Sequence, residues 1–219
     1  MPYTYWSPVS MKTRLLRDAF LAGVLLLVLT SIRAAEAIDS SSPQKLIETS
    51  SKALLADLDA HRAAYRKDMA GLFRVIETQF LPHVDVPHTA QQVLGVHWRE
   101  ATPEQRKRFV AALSHSLLTT YGKALIDFTS DQLKVLPFKG DVAAKSAEVK
   151  TTIRTRSGST VSVNYQLNKT DSGEWKVWDV VIEGIHYVKI FHDDFDAEVS
   201  QKGLDALLSR LENGRLTGK

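Results

Sequence analysis

The 219-residue chain has no cysteine, which excludes disulfides, thiol catalysis and lipid anchoring through a cysteine. Catalytic signatures are missing as well. No Gly-x-Ser-x-Gly occurs, and Ser157 and Ser159 sit in an expected hairpin turn, an ordinary place for serine. The glycines are scattered singly, so no loop is built to cradle phosphate. None of the seven histidines falls in a His-Glu-x-x-His pattern, and His83 and His88 flank a proline-bounded loop. His192-Asp193-Asp194 has ligand-type side chains, but on an outward helix turn it reads as solvated rather than metal-binding. A large excess of one charge is also lacking: 28 basic residues face 25 acidic ones, a net +3.

Part of that small excess belongs to the N-terminus. Met11 to Arg17 (MKTRLLR) is a basic segment, Ala19 to Leu29 is apolar, and Ala35-Glu36-Ala37 has the small-x-small form of a cleavage site. The apolar run is short for a membrane span. Residues 1–37 are therefore expected to be a cleaved secretory signal peptide, with Met11 as its natural start. Residues 38–219 are expected to be one domain. Removing four basic and two acidic residues from 28 and 25 leaves 24 and 23, near +1. Such a balance gives no pull on nucleic acid, and Lys150, Arg154 and Arg156 read as a solvated strand face. The compartment implied is outside the cytoplasm.

What is present is a long, broad apolar helix. Thr102 is placed to cap it, Pro103 suits the first helical position, and Gln105 completes a capping box. Phe109, Leu113, Leu117, Tyr121 and Leu125 step by four, and Val110, Leu118 and Ile126 widen the stripe. A helix this apolar has to be covered on more than one side. Wide apolar stripes are ordinarily core; the alternative is that part of this one lines a hollow.

The flanking segments read in order. A helix opens at Ser42-Pro43, and the charged stretch Asp57 to Asp68 is expected to be a solvated turn after it. A second amphipathic helix runs to a stop at Pro82, and a short helix from His88 to Trp98 leads into the long one. After Phe128 the periodicity becomes two. Leu133–Leu136, then Val149–Thr155, Val161–Leu167 and Trp175–Glu183, separated by short turns, predict an antiparallel meander of four strands. The fourth is apolar on alternate sides, with Trp175, Val177 and Val181 on one and Trp178, Val180 and Ile182 on the other. Asp179 lies among them and reads as a hydrogen-bonded structural carboxylate, with a pocket acid as the alternative. Helices return from Ile185 to Leu211, Asn213-Gly214 ends them, and the tail from Arg215 is expected to be loose.

Several stretches, in order along the whole secreted part, resemble one family. They are Leu81-Pro82-x-x-Asp85, then Val93-Leu94-Gly95-x-x-Trp98-Arg99-x-Ala101-Thr102-Pro103, then Tyr121-Gly122-x-Ala124-Leu125. Trp175 to Ile185 and Gln201 to Leu208 complete the set. The pattern is similar to the toluene-tolerance family of periplasmic phospholipid-binding proteins, the MlaC type. Two places depart from it: His186 stands where the family has a small hydroxyl residue, and Phe191-His192 where it has a Tyr-Arg pair.

The resemblance implies an α+β fold, a curved four-stranded antiparallel sheet packed under several helices around an apolar lipid cavity. It implies a carrier rather than an enzyme, with phospholipid as cargo and no cofactor. The partners implied are an outer-membrane lipoprotein–porin complex and an inner-membrane ABC transporter. The expected lining is Leu113, Leu117, Tyr121, Val163, Tyr165, Trp178, Val180, Ile182 and Val188. The rival readings are a small cone-shaped enzyme using Asp179 or a histidine as acid or base, and a periplasmic chaperone or adaptor.

Overall fold

A computed structural model describes residues 38–129, 132–155 and 157–217. The expected signal peptide lies outside the described residues. The first helix, α1 (Pro43–Lys67), starts as the sequence predicts: the Ser42 hydroxyl accepts from the Lys45 N–H, and Pro43 sits in the first turn. It does not yield to the charged stretch from Asp57. The helix runs through it, because Leu58 and Tyr65 keep the buried stripe going while the charges pair along the helix, His61 with Asp57 and Arg62 with Asp59. Asp68 breaks the chain with an extended backbone and caps α2 (Met69–Val75), accepting from the Ala70 N–H. A π-wound turn (Ile76–Phe80) and a 3₁₀ turn (Leu81–His83) follow, the latter containing Pro82.

The single short helix expected next is two, α3 (Val86–Leu94) and α4 (Val96–Glu100), broken at Gly95. Gly95 has φ +54°, and the His192 imidazole lies 2.5 Å from where a Cβ would stand. Only glycine fits that corner. The long helix is α5 (Pro103–Ile126), and the Thr102–Gln105 capping box is formed in both directions.

The sheet is a pure antiparallel meander of five strands, not four: β1 (Leu133–Val135), β2 (Ser146–Arg154), β3 (Thr160–Lys169), β4 (Trp175–Ile182) and β5 (Ile185–His186). The extra strand comes from a two-residue turn, Glu183-Gly184, both with positive φ, which folds Ile185 and His186 back onto Ile182 and Val181. A bulge in β4 overturns the simple alternation read from the sequence. Gln166 pairs with Asp179 but Leu167 pairs with Val177, leaving Trp178 as the extra residue. Trp175, Val177, Val180 and Ile182 therefore share one face, with Val161, Val163, Tyr165 and Leu167 of β3 beside them. Asp179 and Val181 point to the other.

Two helices close the fold, α6 (Tyr187–Lys202) and α7 (Leu204–Glu212), with Gly203 between them. The tail is not loose. Leu216 is 2% exposed, and the Arg210 guanidinium donates to the Arg215 carbonyl while pairing with Glu198.

Among the described residues the apolar interior falls into three clusters. The first joins α3, α5, α6 and α7 around Phe109, Phe195 and Leu211. The second seats Leu46 and Ile47 of α1 on Val149, Leu167 and Trp175 of the sheet. The third gathers Leu58, Tyr65, Leu72 and Ile126. No helix among the described residues is long and apolar enough to cross a membrane.

Candidate functional site: a cavity between α5 and the sheet

The end of α5 does not lie flush on the sheet. Ala124, Leu125 and Phe128 face Ile153, Val161, Val163, Tyr165 and Ile182 across a cavity of about 460 Å³. Register explains why these strand residues meet. Ile153 pairs with Val161, Val163 with Ile182 and Tyr165 with Val180, so their side chains rise from one face. Tyr165 and Ile182 are only half-buried although they sit inside the sheet, as expected of walls around a hollow. Burial pushes the Tyr165 phenol above its ordinary value.

The rim is polar. Asp127, Gln132, Arg154 and Thr155 border the opening. Arg66 of α1 binds Asp127 at 2.9 Å, and the Arg62 guanidinium donates to the Phe128 carbonyl at 2.7 Å. These contacts tie the turn after α5 to α1 and hold one lip of the opening in place. The arrangement, apolar walls under a charged and amide-bearing rim, suits a ligand with an oily body and a polar end. Among its lining residues no nucleophile is paired with a base.

The nine residues expected to line a cavity are distributed as follows. Val163, Tyr165 and Ile182 line this one. Val180 is on the same face, opposite Tyr165. Leu113 is buried in the helical cluster, with Leu117 and Val188 packed against it. Tyr121 is 41% exposed, near Tyr187. Trp178, displaced by the bulge, meets the His88 ring edge-on, and its carbonyl accepts from Thr89 Oγ1. It anchors α3 instead. Leu125, Phe128, Ile153 and Val161 were not among the nine. Leu125 was already in the step-of-four stripe of α5, and Ile153 and Val161 shared the alternation of Val163. What the sequence lacked was the pairing that brings them together.

Asp179 is 3% exposed. One oxygen accepts from the Val188 N–H at 3.0 Å and the other meets His186 Nδ1 at 2.7 Å. Both acceptor oxygens are thus engaged in tying β4 to the start of α6. The two departures from the family pattern have structural work here: His186 partners Asp179, and His192 Nδ1 donates to the Val93 carbonyl while its ring fills the Gly95 corner. Asp193 pairs with Lys189. Among the described residues no three metal-ligating side chains are grouped.

Known proteins are similar to this chain in sequence, and a solved structure is similar in fold. The chain is 30% identical over 181 residues to toluene tolerance protein ttg2D of Pseudomonas putida, covering 82% of this chain and 83% of that one. It is 22% identical over 192 residues to the intermembrane phospholipid transport system binding protein MlaC of Haemophilus influenzae, covering 86% and 90%. Its fold matches the phospholipid-binding protein from Ralstonia solanacearum, solved in complex with a phospholipid, with a TM-score of 0.71 at 22% identity, over 82% of this chain and 97% of that one. The family described as MlaC protein matches residues 18–213, and the chain belongs to that family.

Proposed function

We propose that this protein binds phospholipid and carries it, with acyl chain held in the cavity between α5 and the sheet and the polar end at the rim. The observation that carries the reading is the cavity itself, about 460 Å³ with Leu125, Phe128, Ile153, Val163 and Ile182 in its walls. The names of its relatives, toluene tolerance and phospholipid transport, agree.

The physical need is clear. A phospholipid carries on the order of thirty methylenes, each worth roughly 0.8 kcal/mol on leaving water, so over 20 kcal/mol holds it in a bilayer. A carrier must offer an environment almost as good. It needs no acid, base or nucleophile. A methylene takes roughly the 30 Å³ of a water molecule. By that measure a cavity of about 460 Å³ has room for an acyl tail.

In the same reading residues 1–37 direct export to the periplasm, and the carrier moves between an outer-membrane lipoprotein–porin complex and an inner-membrane ABC transporter. Partners are needed because extracting a lipid without help is slow. Native mass spectrometry of the purified protein tests the central claim. A mass increment equal to a phospholipid, released by solvent extraction, is expected; protein that is empty and takes up no lipid from vesicles would overturn it.

A further inference from the structure

Hydroxyls that leave water in this fold are given partners. Ser116 Oγ donates to the Leu211 carbonyl at 2.7 Å, Thr151 Oγ1 donates to the Val163 carbonyl, and the Tyr65 phenol donates to Asp57. Tyr165 departs from this. Its ring packs against the cluster of Leu46, Leu167 and Trp175 and lines the cavity. Its hydroxyl has no hydrogen-bond partner among the described residues. Nor is that hydroxyl sealed in. Among the described residues the polar side-chain atom sealed without a partner is Trp175 Nε1. The Tyr165 oxygen keeps accessible surface, and on a half-buried ring in the cavity wall that surface opens into the cavity.

The rest of the inner wall is hydrocarbon, from Leu125 and Phe128 across to Val163 and Ile182, and the polar lining residues lie at the rim. Of these, Thr155 Oγ1 is already engaged with Ser157 and the Ser159 carbonyl. A ligand group that passes the rim therefore meets one side-chain donor among the lining residues, the Tyr165 phenol. In the empty cavity water serves that donor. An entering tail expels the water, so the new partner has to come with the cargo. Hydrocarbon cannot accept from it. A phosphate or charged head group would lose more on leaving water than one neutral donor returns. The acyl ester carbonyl is the neutral acceptor that joins head to tail, and it is drawn inward as the tail enters. At about 460 Å³ the cavity is compact, so a carbonyl a few bonds below a phosphate at the rim is not far from the inner wall. We propose that the Tyr165 hydroxyl donates a hydrogen bond to an ester carbonyl of the bound phospholipid, and so selects diacyl lipids over ether-linked ones. An ether analogue brings no carbonyl and leaves the phenol unpaired in a space emptied of water, which is how a site with a buried donor rejects a ligand lacking the acceptor. The proposal rests on the reading of this cavity as the cargo site and adds a preference to it. The hydrocarbon walls take any oily chain, and the phenol senses how that chain is joined to glycerol.

The test compares dipalmitoyl phosphatidylcholine with its dihexadecyl ether analogue, each displacing a fluorescent phospholipid from the protein. The parent chain is expected to bind the diacyl lipid about tenfold more tightly than the ether. Tyr165→Phe keeps the ring and removes the oxygen. Its affinity for the diacyl lipid should fall about tenfold, until the two lipids bind alike. Infrared spectra of diacyl lipid isotopically labelled at the ester carbonyls give a direct reading: the parent complex should show a carbonyl band at lower frequency that the Tyr165→Phe complex lacks. The lipid-free variant should unfold at the parent's urea midpoint, because the missing hydroxyl holds no other group of the protein. Equal binding of both lipids by the parent chain, or a preference that survives in Tyr165→Phe, overturns the proposal and leaves the carrier reading standing. A lowered midpoint in the lipid-free variant also overturns it, by making the hydroxyl part of the fold. Binding of neither lipid by the parent chain overturns the carrier reading and the proposal with it.

Discussion

Replacing Val163 by tryptophan separates a hollow interior from a solid one. Val163 is 7% exposed and lines the cavity. The new side chain adds roughly 100 Å³ over valine, close to a quarter of the 460 Å³ available. Some three methylenes of cargo lose their place, each worth about 0.8 kcal/mol, which amounts to roughly 2.4 kcal/mol or about fiftyfold in affinity. Folding stability should be unchanged or slightly higher, because the indole fills space instead of displacing neighbours. In a packed core the same change would cost about 1–3 kcal/mol. The assay pairs the lipid-bound fraction, by native mass spectrometry and displacement of a fluorescent phospholipid, with urea unfolding of the lipid-free protein. A variant that keeps the full lipid load while losing stability by that amount would refute the cavity as the cargo site.

Other outcomes follow from contacts already described. Asp179→Ala removes the buried acceptor of the Val188 N–H and should cost about 1–3 kcal/mol, with little added by the half-exposed His186; lipid content at a temperature where it stays folded should not change, and selective loss of lipid would make Asp179 part of the site. Leu216→Ala should cost about 2–3 kcal/mol in thermal or urea unfolding, and an effect within about 0.5 kcal/mol would mean that the tail is loose after all. The Tyr65 phenol is pushed up to about 12, by burial first and by its hydrogen bond to Asp57 second. Its contribution is whole below pH ~10, where the unfolded tyrosine titrates, and is lost as pH rises toward the folded value. Urea midpoints should therefore fall less between pH 9 and pH 11 for Tyr65→Phe than for the parent chain, and equal falls would contradict that linkage.

How far the sequence disclosed this fold depended on the range of the interaction. Thr102, Pro103 and Gln105 act within one turn of helix, and the start of α5 was legible to the residue. The strands were legible too, because apolar and polar residues alternate along β2 and β3. The bulge at Trp178 was not, since it is a mismatch between two strands and leaves no mark on one strand alone; it moved Trp178 away from Val180 and Ile182. The break at Gly95 depends on His192 of α6, nearly a hundred residues on. The charged stretch of α1 reads as a turn in the sequence, although Leu58 and Tyr65 carry the helical period through it. For the cavity, alternation puts Val163, Tyr165 and Ile182 on apolar sides of their strands but does not tell wall from core. Leu125 and Phe128 needed knowledge of which end of α5 stands off the sheet. Local rules give the elements, and the gaps between elements are set by their docking.

The separation of the apolar interior into three clusters has a consequence for how a larger guest is admitted. Val163 is buried yet belongs to none of them, and the space beside it is bordered by Tyr165, which packs on the Leu46–Trp175 group, and by Leu125 and Asp127, which flank Ile126 of the Leu58–Ile126 group. Prising α5 from β3 would lengthen a boundary that is already there, without dismantling the packing inside either group. A second fatty tail could slip in along that seam, and its own burial would offset the water exposed by the parting.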